Sequence, residues 1–162
     1  MAGGRVPYKG TMVRRLPLLL FAVALAGCGD SVPTLAFKDV CKKENDGKTV
    51  ATEGFLRAPF AGLCRAATRR NAATTACSFD LRDQPEGEAR LSINIELGEG
   101  ANRLDKARHA AKQGAAAVAD KDAKFLADKA RVRVTGIVSA VPNSLKPDET
   151  ICWIEVEKIE RR

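Results

Sequence analysis

Aromatic residues are scarce in this chain: Phe, Trp and Tyr make up 5% of its 162 residues, with one Trp and one Tyr. A core built from this sequence must therefore be aliphatic. There is a single histidine, His109, and no pair of cysteines stands at CxxC spacing. The lack of both argues against the common zinc and thiol-redox motifs. His109 stands among Arg108, Lys112 and alanines, on what reads as the polar side of a helix. Nothing in the sequence marks a nucleophile beside it. The carboxylates of Asp80, Glu96, Glu155 and Glu157 fall on positions that strand alternation turns outward. Glu96-Leu97-Gly98-Glu99-Gly100 lacks the lysine and the residue order of a phosphate-binding loop. The expectation is a protein that is not an enzyme, with no metal and no cofactor.

Residues 16–26, in contrast, form one uninterrupted uncharged, apolar run, preceded by Arg14 and Arg15 and followed by Gly27 and Cys28. A positive start, a short apolar stretch and small residues are the layout of a secretory signal peptide. The run is well short of the roughly 20 residues that a membrane span needs. Leu25-Ala26-Gly27-Cys28 resembles the lipobox of bacterial lipoproteins. The resemblance implies that residues 1–27 are removed and that Cys28 carries the lipid. Residues 28–33 would then be a tether and residues 34–162 the folded domain. It places the protein in the cell membrane or outer membrane, lipid-anchored and facing the periplasm or the exterior. The leader also carries much of the positive charge. It holds Arg5, Lys9, Arg14 and Arg15 and no acidic residue, so the net charge falls from +7 to +3 without it. A basic isoelectric point is then poor evidence for nucleic-acid binding.

Cys41, Cys64, Cys77 and Cys152 remain, an even number that in an exported protein reads as two disulfides with three possible pairings. Along the domain, residues 34–43 read as a helical turn or short helix with Thr34 as its cap, and Leu35, Phe37, Val40 and Cys41 on one face. Residues 48–56 read as a strand with a bulge or tight bend at Gly54. A long loop over 57–75 carries Arg65, Arg69 and Arg70. Residues 77–82 and 90–97 alternate as a hairpin, with Cys77, Phe79, Leu81, Leu91, Ile93, Ile95 and Leu97 turned inward. Alanine-rich residues 102–117 predict a helix, and 119–130 fit helix, loop or weak strand. Residues 131–138 and 151–159 are the last strands, with a loop over 142–148 between them.

Strand, hairpin, helix, strand, strand is the order of an OB-fold, a mainly β, five-stranded Greek-key barrel with its helix between the third and fourth strands. Residues 48–56, 132–136 and 152–160 are similar to the first, fourth and fifth strands of OB-fold proteins. That resemblance implies that the fourth strand runs antiparallel to the first and the fifth. Cys152 would then lie near Cys41, leaving Cys64 to pair with Cys77. It also places Arg65, Arg69 and Arg70 beside the face on which OB-folds bind ligands, with Trp153 turned outward. The outward residues of the expected hairpin, Ser78, Asp80, Arg82, Arg90, Ser92, Asn94 and Glu96, include no aromatic platform for bases. The expectation is a non-catalytic binding or structural module of the envelope, contacting another protein or an anionic ligand. Oligonucleotide or anionic oligosaccharide binding through 65–70 is the alternative.

Overall fold

The computed structural model describes residues 31–58, 63–69 and 72–162. Cys28, Arg70 and the side chain of Arg69 lie outside them. Six strands form one mixed sheet: β1 (Thr49–Arg57), β2 (Cys64–Arg69), β3 (Ala72–Arg82), β4 (Arg90–Glu96), β5 (Arg131–Asn143) and β6 (Lys146–Arg161). The order is β1-β5-β6-β4-β3-β2, and Phe55–Arg57 of β1 also pair with Asp80–Arg82 of β3. The pairing therefore returns to its start through five strands, and β2 hangs on β3 outside that circuit. All pairs are antiparallel except β4 with β6.

The alternation that predicts the strands also fills the interior. Val50, Leu56, Phe79, Leu81, Ile93, Ile95, Val132, Val134, Ile154, Val156 and Ile159 are all at most 2% exposed. Phe79 is the one aromatic residue among them, and β-branched side chains supply most of the volume. Gly54 sits where β1 leaves β5 for β3. A Cβ at that position would lie 2.6 Å from the Arg82 carbonyl oxygen. The predicted irregularity is thus a close approach of two backbones.

Four expectations are corrected. The loop over 57–75 contains β2 and the first part of β3, a hairpin whose register sets Cys64 opposite Cys77. The loop over 142–148 is only a tight connection, because β5 continues to Asn143 and β6 begins at Lys146. The first segment, 34–43, holds the expected helical turn, a 3-10 turn at Phe37–Asp39, with a second at Lys43–Asn45, but Thr34 does not cap it and instead bridges Ala51 of β1. The helix expected over 102–117 shrinks to α1 (Lys106–Ala110) and a 3-10 turn at Gly114–Ala117.

The physical reason for the last change is packing. Leu104, Ala115, Ala117 and Val118 are at most 1% exposed and close the core, so the chain bends to present them. Lys112 and Gly114, both at φ 57°, make that bend. Helix propensity is a weak prior that such burial overrides. Asp105 caps α1 by accepting from the Arg108 amide at 2.9 Å.

The ambiguous segment 119–130 is irregular and organised by Asp120, which is 2% exposed. Its carboxylate accepts from the amides of Asp122 (3.0 Å) and Lys124 (2.9 Å) and from Arg161 Nε (2.7 Å). Burial pushes this carboxyl upward. The two amides and the guanidinium outweigh that effect and hold it below the ordinary aspartate range.

Two disulfides cross-link the domain. Cys41 joins Cys152, with Cα atoms 5.6 Å apart and a sequence separation of 111. Cys64 joins Cys77, with Cα atoms 3.9 Å apart and a separation of 13. These are the pairs expected from the resemblance stated above.

A candidate ligand groove between two hairpins

The outer face of β3, β4 and β6 is covered at one end by the β2–β3 hairpin. Register aligns Ser78, Asn94 and Glu155 side by side across the three strands. They form a hydrogen-bonded row. Ser78 Oγ donates to Asn94 Oδ1 at 2.9 Å, and Asn94 Nδ2 donates to Glu155 Oε1 at 2.8 Å. Trp153, two residues earlier on the same face of β6, donates its Nε1 to the same Glu155 oxygen at 2.7 Å. Arg65 on β2 reaches across: its Nη2 lies 4.0 Å from Glu155 Oε1, and its Cζ is 5.4 Å from the Trp153 ring centroid. That is within the roughly 6 Å at which a cation and a ring face attract.

Beside this row lies a pocket of about 270 Å³, lined by Asn94, Glu96, Glu155, Ser139, Thr68 and Thr74, with Ala67 and Ala76 as its apolar patches. Glu96 pairs with Arg103 at 3.2 Å. Each carboxylate of the pocket therefore has a guanidinium within 4.0 Å, and the lining mixes polar groups with apolar ones. Among the described residues no lysine or arginine lines it.

Of the residues singled out from sequence, the groove brings together Arg65 and Trp153. Arg69 belongs to β2, its side chain outside the described residues, and Arg70 lies outside them altogether. Asn94, expected on a solvated outer face, is 3% exposed because the hairpin roofs it. Glu96 and Glu155, likewise expected in solvent, line the pocket. The outward alternation of β4 and β6 was visible in the sequence, but the roof was not.

His109 is also not simply solvated. It lies on α1, and its Nε2 is 3.3 Å from Cys64 Sγ on the end strand β2. The ligand atoms of Cys64, Cys77 and His109 all lie within 4.8 Å of one another, with both sulfurs engaged in the disulfide.

No family model and no curated protein matches this chain. Among solved structures it is similar to a protein described as an aspartyl-tRNA synthetase from Leishmania major Friedlin. The identity is 15% and the TM-score 0.42, over 84% of this chain and 22% of that one. The chain thus spans about a fifth of that protein's length, and neither fold nor function is inferred from the likeness.

Proposed function

We propose that this protein is an exported lipoprotein, anchored through Cys28, whose domain is an OB-fold barrel acting as a non-catalytic binding module of the cell envelope. The closed pairing β1-β3-β4-β6-β5 with parallel β4 and β6 supports the barrel. In OB-folds the second and third strands and their neighbouring loops bind ligands. Here those strands are β3 and β4, the strands that build the groove.

The observation that carries the binding reading is the Ser78–Asn94–Glu155 row with Trp153 beside a roofed pocket. Amide, hydroxyl and carboxylate groups lining one cleft suit an uncharged polar ligand, such as a sugar ring or a peptide segment. At about 270 Å³ the pocket is near the lower end of the size range of small-ligand sites, so only a small part of a partner would enter it. The alternative, a nucleic-acid strand or anionic oligosaccharide on Arg65, Arg69 and Arg70, is favoured by the Arg65–Trp153 contact at the groove's wall. Against it stand Glu96 and Glu155, which would repel phosphates.

Trp153 is the only tryptophan in the chain, so its fluorescence reports the groove directly. Titration with neutral oligosaccharides and short peptides should shift that emission, and Glu155→Ala should abolish the shift. A response to single-stranded DNA at low salt alone would transfer the reading to the basic hairpin. Silence toward all of these ligands would end the groove hypothesis. The anchor is tested separately, by mass spectrometry of protein extracted from membranes. An acylated N-terminal Cys28 is expected, and an unmodified Cys28 thiol would remove the lipoprotein reading.

A further inference from the structure

We infer that Cys64–Cys77 is an exchangeable disulfide that accepts electrons from dithiols, with Cys64 as the attacked sulfur and His109 as the residue that stabilises its thiolate. Three observations carry this. The two half-cystines differ in access: Cys64 is exposed, whereas Cys77 is 0% exposed. A thiolate arriving from solvent meets one sulfur only. His109 Nε2 lies 3.3 Å from that sulfur and not across a covered interface. An imidazolium at that distance favours the thiolate form, as a neighbouring cation lowers a thiol's pKa. Lastly, β2 is the end strand of the order and, among the described residues, pairs only with β3, outside the five-strand circuit. Opening this bond leaves every pairing of that circuit in place.

The exchange balances as follows. A thiolate of the dithiol attacks Cys64 Sγ, forming a mixed disulfide while the Cys64–Cys77 bond breaks and its electron pair goes to Cys77 Sγ. Cys77 takes up the proton that the attacking thiol released. The second thiol of the dithiol loses its proton and attacks its own sulfur of the mixed disulfide. Cys64 leaves as a thiolate facing His109, which holds the second proton. The dithiol has lost two electrons and two protons, and the protein has gained both. Cys41–Cys152 in the same molecule has no histidine near it, since the chain's single histidine is at Cys64. It serves as an internal reference.

The test uses the full protein extracted from membranes, equilibrated in glutathione buffers of graded composition and trapped by alkylation. Peptide mass spectrometry then reads each pair separately. Cys64–Cys77 should be half reduced in buffers at least tenfold less reducing than those that open Cys41–Cys152. The glutathione adduct should sit on Cys64. His109→Ala should move the Cys64–Cys77 midpoint about tenfold toward more reducing buffer, about 30 mV for a two-electron couple, with the Cys41–Cys152 midpoint unmoved. His109→Lys, which keeps a cation, should restore most of the shift. A purely structural histidine would not be replaced by lysine with recovery of a potential. Simultaneous opening of the two pairs, an adduct on Cys77, or an unshifted midpoint in His109→Ala would overturn the inference.

Discussion

The two disulfides do opposite work. Cys41–Cys152 ties the 3-10 turns ahead of β1 to β6, across a sequence separation of 111 and against the core. Cys41 and Cys152 are themselves half-buried partners of the hydrophobic cluster. Cys64–Cys77 closes a 13-residue separation at the sheet edge, with one sulfur in solvent and a histidine beside it. The difference teaches that a covalent bond in a small domain is a staple only where it spans strands that the core needs. In a thin aliphatic interior with one buried phenylalanine among the described residues, the long-range bond supplies a constraint that aromatic packing would otherwise provide. The short-range bond positions the hairpin that roofs the groove.

The largest expected effect follows from that contrast. Replacing Cys41 and Cys152 by serine removes a loop-closure constraint of about 4.7 kcal/mol in the chain-entropy picture, against about 3 kcal/mol for Cys64 and Cys77. Thermal melts of the two double variants should differ in that order. Equal losses would erase the distinction. Next comes the non-covalent clamp at the far end of β6, where Asp120 holds Arg161 and two backbone amides. Asp120→Ala should cost about 1–3 kcal/mol, the usual loss when buried donors are left without their acceptor.

The pH dependence has a definite sign. The folded-state carboxyl of Asp120 titrates below its unfolded value, so its contribution is full above the ordinary aspartate range near pH 3.9. That contribution disappears as pH falls through the lowered folded value. Asp120→Ala should therefore flatten the acid limb of a stability curve and leave its alkaline limb unchanged.

Smaller still is Glu155→Ala, which leaves Asn94 Nδ2 and Trp153 Nε1 without their shared acceptor. We expect about 1 kcal/mol, the typical net value of such bonds, with a red-shifted Trp153 emission as its check. The least effect belongs to Leu145→Ser at the tip of the β5–β6 connection. Leu145 is 89% exposed, and its replacement should stay within about 0.5 kcal/mol in chemical denaturation.

Much of this architecture was legible in the sequence for a simple reason. Period-two alternation at 77–81, 91–97 and 132–138 can only bury one face of a strand, and those faces line the interior. The disulfide pairing followed from the resemblance to OB-fold proteins, since the residues alone leave three pairings open. What stayed hidden depends on contacts distant in sequence. Arg65, Ala66 and Ala67 carry no strand signal of their own; β2 exists because β3 offers it an edge and Cys64 faces Cys77. Alanines 115 and 117 look like helix formers, yet they are used as small plugs under Leu104 and Val118. Asn94 and Glu155 read as ordinary solvated outward residues until the hairpin covers them. His109 lies 45 residues from Cys64 in sequence, and no local pattern announces their contact.

Hydrogen exchange on protein in which only Cys64–Cys77 has been reduced and capped tests the division of labour most directly. Amides of β2 should lose protection while those of β1, β4, β5 and β6 keep theirs. Uniform loss of protection across all six strands would contradict the account, because the circuit stapled by Cys41–Cys152 would then depend on the bond at its edge.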